Sequence, residues 1–249
     1  MKRRIKKQAI IKLLLIIIFS IGLVYSTVNI IKWKIYTNKN KNIKEEIQEY
    51  IKIEKTDEEE KYIVDFKKLK EQNSDTVAYL KVDNTDVEYV VVKGNDNEYY
   101  LNHSFNKEYN VAGWIFADYK NKFDGTDKNI IIYGHNMQDG SMFASLKRIL
   151  TSNWQNNETK QITLVTENNT ITYEIFSSYT INPEEYYIKT NFKDDETYLE
   201  FLNTLKQRTF YDYNIDVNTN DKILTLSTCT GTGNNRIVVH AKQINLENN

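Results

Sequence analysis

The stretch Ile223–Lys242, ILTLSTCTGTGNNRIVVHAK, reads as two strands around a turn. Thr230-Gly231-Thr232-Gly233-Asn234-Asn235 has the composition of a turn. Side chains alternate along a strand, so Thr225, Ser227 and Cys229 share one face, and Leu224, Leu226 and Thr228 the other. In the second strand Arg236, Val238 and His240 share a face. Paired as a hairpin, the two strands bring Cys229 and Arg236 across from each other beside the loop. A guanidinium next to a thiol favours the thiolate. The same cation can hold the oxyanion of a tetrahedral intermediate.

A cysteine nucleophile also needs a base within hydrogen-bond reach. The chain has three histidines. His240 lies about 13 Å along the strand from Arg236, at ~3.3 Å per residue. That sets it near Thr225, out of reach of Cys229, as an expected surface residue of the strand. His103 sits in the polar loop segment NHSF, on the surface or lining a groove. His135 follows NIIIYG (Asn129–Gly134), a continuous apolar run expected to form a strand buried on both faces. The end of a central strand places a side chain rigidly at the domain rim, which makes His135 the best partner. Cys229 is the single cysteine, so no intramolecular disulfide can form. It is a buried inert thiol, a link to another chain or a reactive thiol.

Upstream, VAYLKV and VEYVVVKG are rich in β-branched and aromatic residues between turns, as strands are. AGWIFADY (Ala112–Tyr119) and Asn129–Gly134 follow, then a short helix over Met142–Leu150. QITLVTE and TITYEIFSSYTI read as strands about a turn at Asn168-Asn169. Asp194–Arg208 spaces Tyr198, Leu199, Leu202 and Leu205 as a helix behind an acidic first turn. Seven or eight strands with peripheral helices predict a mostly β barrel or sandwich, with no second domain.

The 249 residues carry 33 basic and 34 acidic groups, but residues 1–12 hold six basic groups and no acid. The remainder is acidic, which disfavours a nucleic-acid-binding body. Leu13–Ile31, LLLIIIFSIGLVYSTVNII, is a run of 19 uncharged residues. About 20 apolar residues cross a bilayer as a helix. Basic residues ahead of such a run stay in the cytoplasm, so residues 1–12 form a cytoplasmic tail and everything after 31 is exported. A cleaved signal peptide would have an apolar core of about 7–15 residues and an A-x-A-like site. Val24-Tyr25-Ser26 is a weak substitute for one, so residues 13–31 are expected to be an uncleaved signal anchor. Ile43, Ile47, Tyr50 and Ile51 fall at helical spacing. They predict a helical spacer over 32–61, leading to a catalytic domain over 62–246. The acidic Thr56–Glu60 is expected to open a further helix through Phe66 and Leu69.

TLSTC (Thr225–Cys229), Arg236 in NNRIVVHAK and IIYGHN (Ile131–Asn136) together resemble the sortases. YLNHSF, GWIFADY, YGHNMQDGSMFASL and the helix-bearing segment between SSYTI and ILTLSTC narrow the resemblance to class B, over roughly Phe66–Ile244. It implies an eight-stranded sortase-type β-barrel with N-terminal helices and a helix in the loop before the cysteine strand. It implies a membrane-anchored cysteine transpeptidase with its catalytic domain outside the cell. Such an enzyme cleaves an NPxTN-like or (S/P)PxTG-like C-terminal sorting signal of secreted proteins. It links them to an amino group of peptidoglycan or its lipid-linked precursor. By the resemblance Cys229 is the nucleophile, His135 the acid/base and Arg236 the oxyanion or substrate-positioning residue. The backbone N–H of Thr230 is a second oxyanion donor. Asn97, Leu101, Tyr133, Tyr187, Ile188 and Ser227 match groove residues, with ordinary strand or loop packing as the alternative for each. No cofactor is implied, and three scattered histidines with one cysteine give little support to a metal site.

A papain-like protease would need cysteine before histidine in the chain and an Asn or Asp to orient the imidazole. Here His135 precedes Cys229, and no orienting side chain is apparent. A membrane-anchored adhesion or scaffold protein accounts for the anchor and the β-rich body. It leaves Cys229, His135 and Arg236 without a role.

Overall fold

The computed structural model describes residues 2–55, 60–156, 159–229 and 235–249. They form two compact units that divide between Asn42 and Ile43. The first is most of helix α1 (Lys2–Gln48). Its apolar run is exposed, with Phe19 at 74% and Leu23 at 69% accessibility, and it is long and apolar enough to cross a membrane.

The last turns of α1 belong to the second unit, where Ile43 and Ile47 are buried in the core. The helix stops at Gln48, and strands β1 (Ile51–Lys55) and β2 (Glu60–Val64) pair antiparallel. The expected helical spacer over 32–61 is therefore corrected: it is helical to Gln48, and its residues 51–55 and 60–61 are strand. Ile51 pairs with Val64 and Ile53 with Tyr62, so period two takes over where the helical spacing ends. Residues 56–59 of the expected acidic break lie outside the described residues. Helix α2 (Phe66–Gln72) starts later than expected, where the Asp65 carboxylate accepts the Lys68 N–H as an N-cap.

Strands β3 (Thr76–Val82), β4 (Glu88–Val92), β5 (Phe116–Ala117) and β6 (Asn129–His135) follow. AGWIFADY thus contributes only two residues of strand. The expected helix at Met142–Leu150 is a 3₁₀ turn over Ala144–Leu150, ahead of a short α3 (Ser152–Gln155). Then come β7 (Gln161–Val165), β8 (Asn169–Ile181), α4 (Asp195–Arg208), β9 (Ile223–Cys229) and β10 (Arg236–Asn248). Among the described residues, eight strands close a barrel in the order β10-β8-β7-β3-β4-β5-β6-β9. β6 and β9 run parallel; β9 and β10 form the antiparallel hairpin expected from the sequence.

Alternation along β9 and β10 divides two apolar clusters. Leu224, Leu226, Ile237 and Val239 join the main core, whereas Ile223 and Val238 pack with Tyr187 and α4. The face bearing Thr225 and Ser227 is thus the barrel's outer wall, roofed by the connection from β8 to β9. α4 suits that place. The Asp194 carboxylate caps Thr197 N–H at 2.9 Å, Asp195 and Glu196 occupy the first turn, and Lys206 and Arg208 the last. Tyr198, Phe201, Leu202 and Leu205 form its buried stripe; Leu199, expected among them, is 39% exposed.

Candidate active site

Three neighbouring strands form a rack. In the parallel β6–β9 pair, Tyr133 aligns with Ser227 and His135 with Cys229. Paired residues on adjacent strands point to the same side, about 4.8 Å apart along the hydrogen-bonding direction. In the β9–β10 pair Val238 aligns with Ser227, and that register carried two residues on sets Arg236 opposite Cys229. His135, Cys229 and Arg236 therefore follow one another across β6, β9 and β10. The Thr228 hydroxyl accepts the Ile237 N–H at 2.9 Å and ties the last two strands together at this level. The Cys229 side chain and the whole of Thr230, the expected second oxyanion donor, lie outside the described residues.

His135 is held from three directions. Its Nε2 is 2.7 Å from the Leu101 carbonyl. A carbonyl can only accept, so Nε2 carries a proton and the lone pair of the neutral ring is on Nδ1. Its own carbonyl accepts the Phe143 N–H at 2.9 Å. Beside it, Gly134 has no room for a side chain: a Cβ there would clash with Ile115 Cδ1 and lie 2.7 Å from Phe143 Cγ. The orienting group of the imidazole is thus a main-chain carbonyl rather than an Asn or Asp side chain. Leu101 ends a 3₁₀ turn (Tyr99–Leu101). Gly113, at φ +57°, backs that turn so closely that a Cβ would sit 2.7 Å from the Leu101 oxygen.

Arg236 is half-buried, and its Nε is buried with no hydrogen-bond partner among the described residues. A buried, unspent donor beside the strand end that carries Cys229 suits an anion that forms only during reaction.

The expected groove residues fall into two groups around the rack. Asn97 Nδ2 and the Tyr133 hydroxyl both donate to Asp118 Oδ2, each at 2.9 Å. The 3₁₀ turn Tyr186–Ile188 belongs to the β8–β9 connection and lies against β9, where Tyr187 and Ser227 are fully buried and bond each other at 3.1 Å. Ile188 is half-buried and packs against both apolar clusters. Leu101 is half-buried, with its carbonyl on His135.

His240 pairs with Thr225, as its spacing predicts, but its expected place on the surface is corrected: it is completely buried. Tyr179 Oη and Thr225 Oγ1 lie 2.8 and 2.9 Å from its two nitrogens. The Thr225 hydroxyl donates to Asn129 Oδ1, so it accepts from Nδ1–H of His240, and Nε2 accepts from Tyr179. Burial, and then the nearby Arg208, push this imidazole down to about 3, so it stays neutral at physiological pH. His103 is half-buried, stacked on Tyr99 with ring centroids 4.0 Å apart.

The Sortase domain family matches residues 80–244. Sortase B of Listeria monocytogenes is 39% identical over 163 residues, 65% of this chain and 65% of the relative. Sortase B of Staphylococcus aureus is 33% identical over 182 residues, 72% of this chain and 74% of that one. The chain thus spans just under two thirds of the Listeria relative. The crystal structure of Bacillus anthracis sortase B with AAEK1 superposes with a TM-score of 0.74 at 32% identity, covering 84% of this chain and 98% of that one. A Staphylococcus aureus sortase B–substrate complex gives 0.68 at 33% identity, covering 72% and 84%. The chain belongs to the sortase family, and the relatives it matches are of the B class. The eight-stranded sortase barrel implied by the sequence is the fold observed.

Proposed function

We propose that this protein is a membrane-anchored cysteine transpeptidase of the sortase B type. In this reading residues 1–12 are cytoplasmic, 13–31 cross the membrane and the catalytic domain, 62–246, lies outside the cell. The observation that carries the chemistry is the register that sets His135, Cys229 and Arg236 side by side on β6, β9 and β10. A scaffold or adhesion protein has no use for that row.

The substrate is a secreted protein with an NPxTN-like or (S/P)PxTG-like sorting signal. Cys229 attacks as the thiolate, with its proton on His135. The C–S bond forms as the carbonyl oxygen takes the negative charge, which Arg236 and the Thr230 N–H stabilise. When the intermediate collapses, the C–N bond breaks and His135 protonates the departing amine. A thioester remains on Cys229. An amino group of peptidoglycan or its lipid-linked precursor then attacks it and gives its proton to His135. The thiolate leaves and the new amide is complete. Dividing one amide exchange into two steps is what a covalent nucleophile accomplishes. A related sortase B has been captured with a substrate, which supports a peptide groove on this barrel.

The test is to incubate the full chain in detergent micelles with labelled NPxTN-type and (S/P)PxTG-type pentapeptides. The expected result is cleavage of one class and a transient peptide adduct on Cys229, diverted to a new amide by an added amine such as a short glycine peptide. An adduct elsewhere, or no cleavage of either class by folded protein, refutes the reading.

A further inference from the structure

The segment that follows β6 is tied to the barrel by a tyrosine outside the row of His135, Cys229 and Arg236. Tyr89 lies on β4 and is 6% exposed. Its hydroxyl accepts the Met142 N–H at 2.9 Å. Met142 pairs back to Asn136 across the loop, and its φ is +56°, a backbone conformation that residues with side chains rarely adopt. The next residue, Phe143, donates its N–H to the His135 carbonyl at 2.9 Å. The contacts run in series: Tyr89 holds Met142, the chain turns at Met142, and the turn aims the Phe143 N–H at His135.

The ring of Tyr89 is itself held in place. Lys44, in the last turns of α1, sets its Nζ 4.0 Å from the ring centroid. The Trp114 ring stands at 85° to it with centroids 5.8 Å apart, and Trp114 Nε1 donates to the Val90 carbonyl at 2.8 Å on the same strand. Burial pushes the Tyr89 hydroxyl up to about 12, so it is uncharged at physiological pH. Met142 is 2% exposed, so loss of the hydroxyl would leave its N–H buried and unpaired.

We infer that Tyr89 is a positioning residue for His135, fixing through Met142 and Phe143 the main chain that carries the imidazole. The inference rests on the proposed role of His135 as acid/base. The Leu101 carbonyl sets the ring of His135, and Tyr89 sets its backbone. Tyr89→Phe keeps the aromatic ring that meets Lys44 and Trp114, changes no charge and deletes the acceptor of the Met142 N–H. The turn then relaxes, and a small displacement of an acid/base group costs rate rather than binding.

The full chain in detergent micelles, with its histidines isotope-labelled at Cε1, is compared with Tyr89→Phe by NMR. His135→Ala assigns one of the three imidazole signals. In Tyr89→Phe the His135 signal is expected to shift or broaden while that of His240 stays in place. Acylation by a saturating pentapeptide of the class the enzyme cleaves, followed by intact mass, should slow about tenfold, with the half-saturating peptide concentration changed by less than about twofold. Unchanged acylation, whatever the Tm, overturns the inference, and so does an unmoved His135 signal. Should Tyr89→Phe not fold, Tyr89→Met, which also lacks the acceptor, is read the same way. If His135→Ala leaves acylation undiminished, the acid/base reading falls and takes the inference with it. If His135→Ala abolishes acylation and Tyr89→Phe alters neither rate nor signal, the inference alone falls.

Discussion

Replacing His240 by glutamine should flatten the acid side of the protein's stability curve. The ring is completely buried against Phe176, Tyr179 and Tyr187, and Arg208 is the charged group that faces it. Burial and Arg208 lower its pKa from the ordinary 6.5 to about 3. The unfolded chain therefore gains a proton near pH 6.5 that the folded chain refuses until about pH 3, and stability falls as pH falls across that window. Between about pH 7.5 and 5.0 the loss is about 2 kcal/mol at 1.36 kcal/mol per unit. For a domain of this size that is a drop in Tm of about 4–8 °C. The carboxylates of Asp124, bonded to Thr126 in a turn, and of Asp194, the N-cap of α4, are held below their ordinary 3.8 by hydrogen bonds, so their contribution is lost only at lower pH. His240→Gln keeps a donor and an acceptor for Thr225 and Tyr179 but cannot titrate. Differential scanning fluorimetry of both proteins at the two pH values measures the difference. The variant is expected to start from a lower Tm at pH 7.5 and to lose about 4–8 °C less than the parent at pH 5.0. A variant Tm that falls as steeply as the parent's would refute the buried neutral imidazole.

Other expectations concern the chemistry, the packing and the topology. Cys229→Ala should bind a cleavable peptide without forming an adduct in intact-mass spectra. Arg236→Lys, which keeps charge but loses the planar fork, should acylate about 10²–10³ more slowly. His135→Ala should abolish acylation at neutral pH, whereas folded His240→Gln should still acylate; the reverse pattern would exclude the row on β6, β9 and β10. Gly134→Ala places a Cβ 2.7 Å from Phe143 Cγ, so it should cost about 1–3 kcal/mol in denaturant unfolding, partly recovered by Phe143→Leu. Protease added to intact wall-stripped cells should digest the catalytic domain, and protection of the segment around Cys229 would contradict an external location.

Alternation in ILTLSTC and RIVVHAK was enough to predict the last hairpin and to set His240 beside Thr225, because period two needs no distant information. The environment of His240 was not legible. What buries it is Tyr179 on β8 and the roof over the outer wall, contributed by segments remote in the chain. The β1–β2 ribbon is not legible in the sequence, for a local reason. Ile47 and Ile51 extend a helical spacing while Ile51 and Ile53 begin an alternating one, and Ile51 serves both periods. The support of His135 left no side-chain signature, since every residue has a carbonyl and only its placement singles out Leu101. Gly113 was the available trace of that placement: a glycine between Ala112 and Trp114, where most of the segment is buried.

The parallel contact between β6 and β9 has a bearing on how the chain matures. The hairpins β3–β4, β7–β8 and β9–β10 join strands close in sequence, but β6 must wait for β7, β8 and α4 before β9 can lie beside it. Such distant pairings pay their loop-closure entropy late. His135 emerges during synthesis long before Cys229, and the two meet only when the ring of strands shuts. A partly folded chain can therefore carry Cys229 with Arg236 brought near by the local β9–β10 hairpin but without His135 beside it. Under the proposed mechanism, competence to react with other proteins arrives together with closure of the barrel.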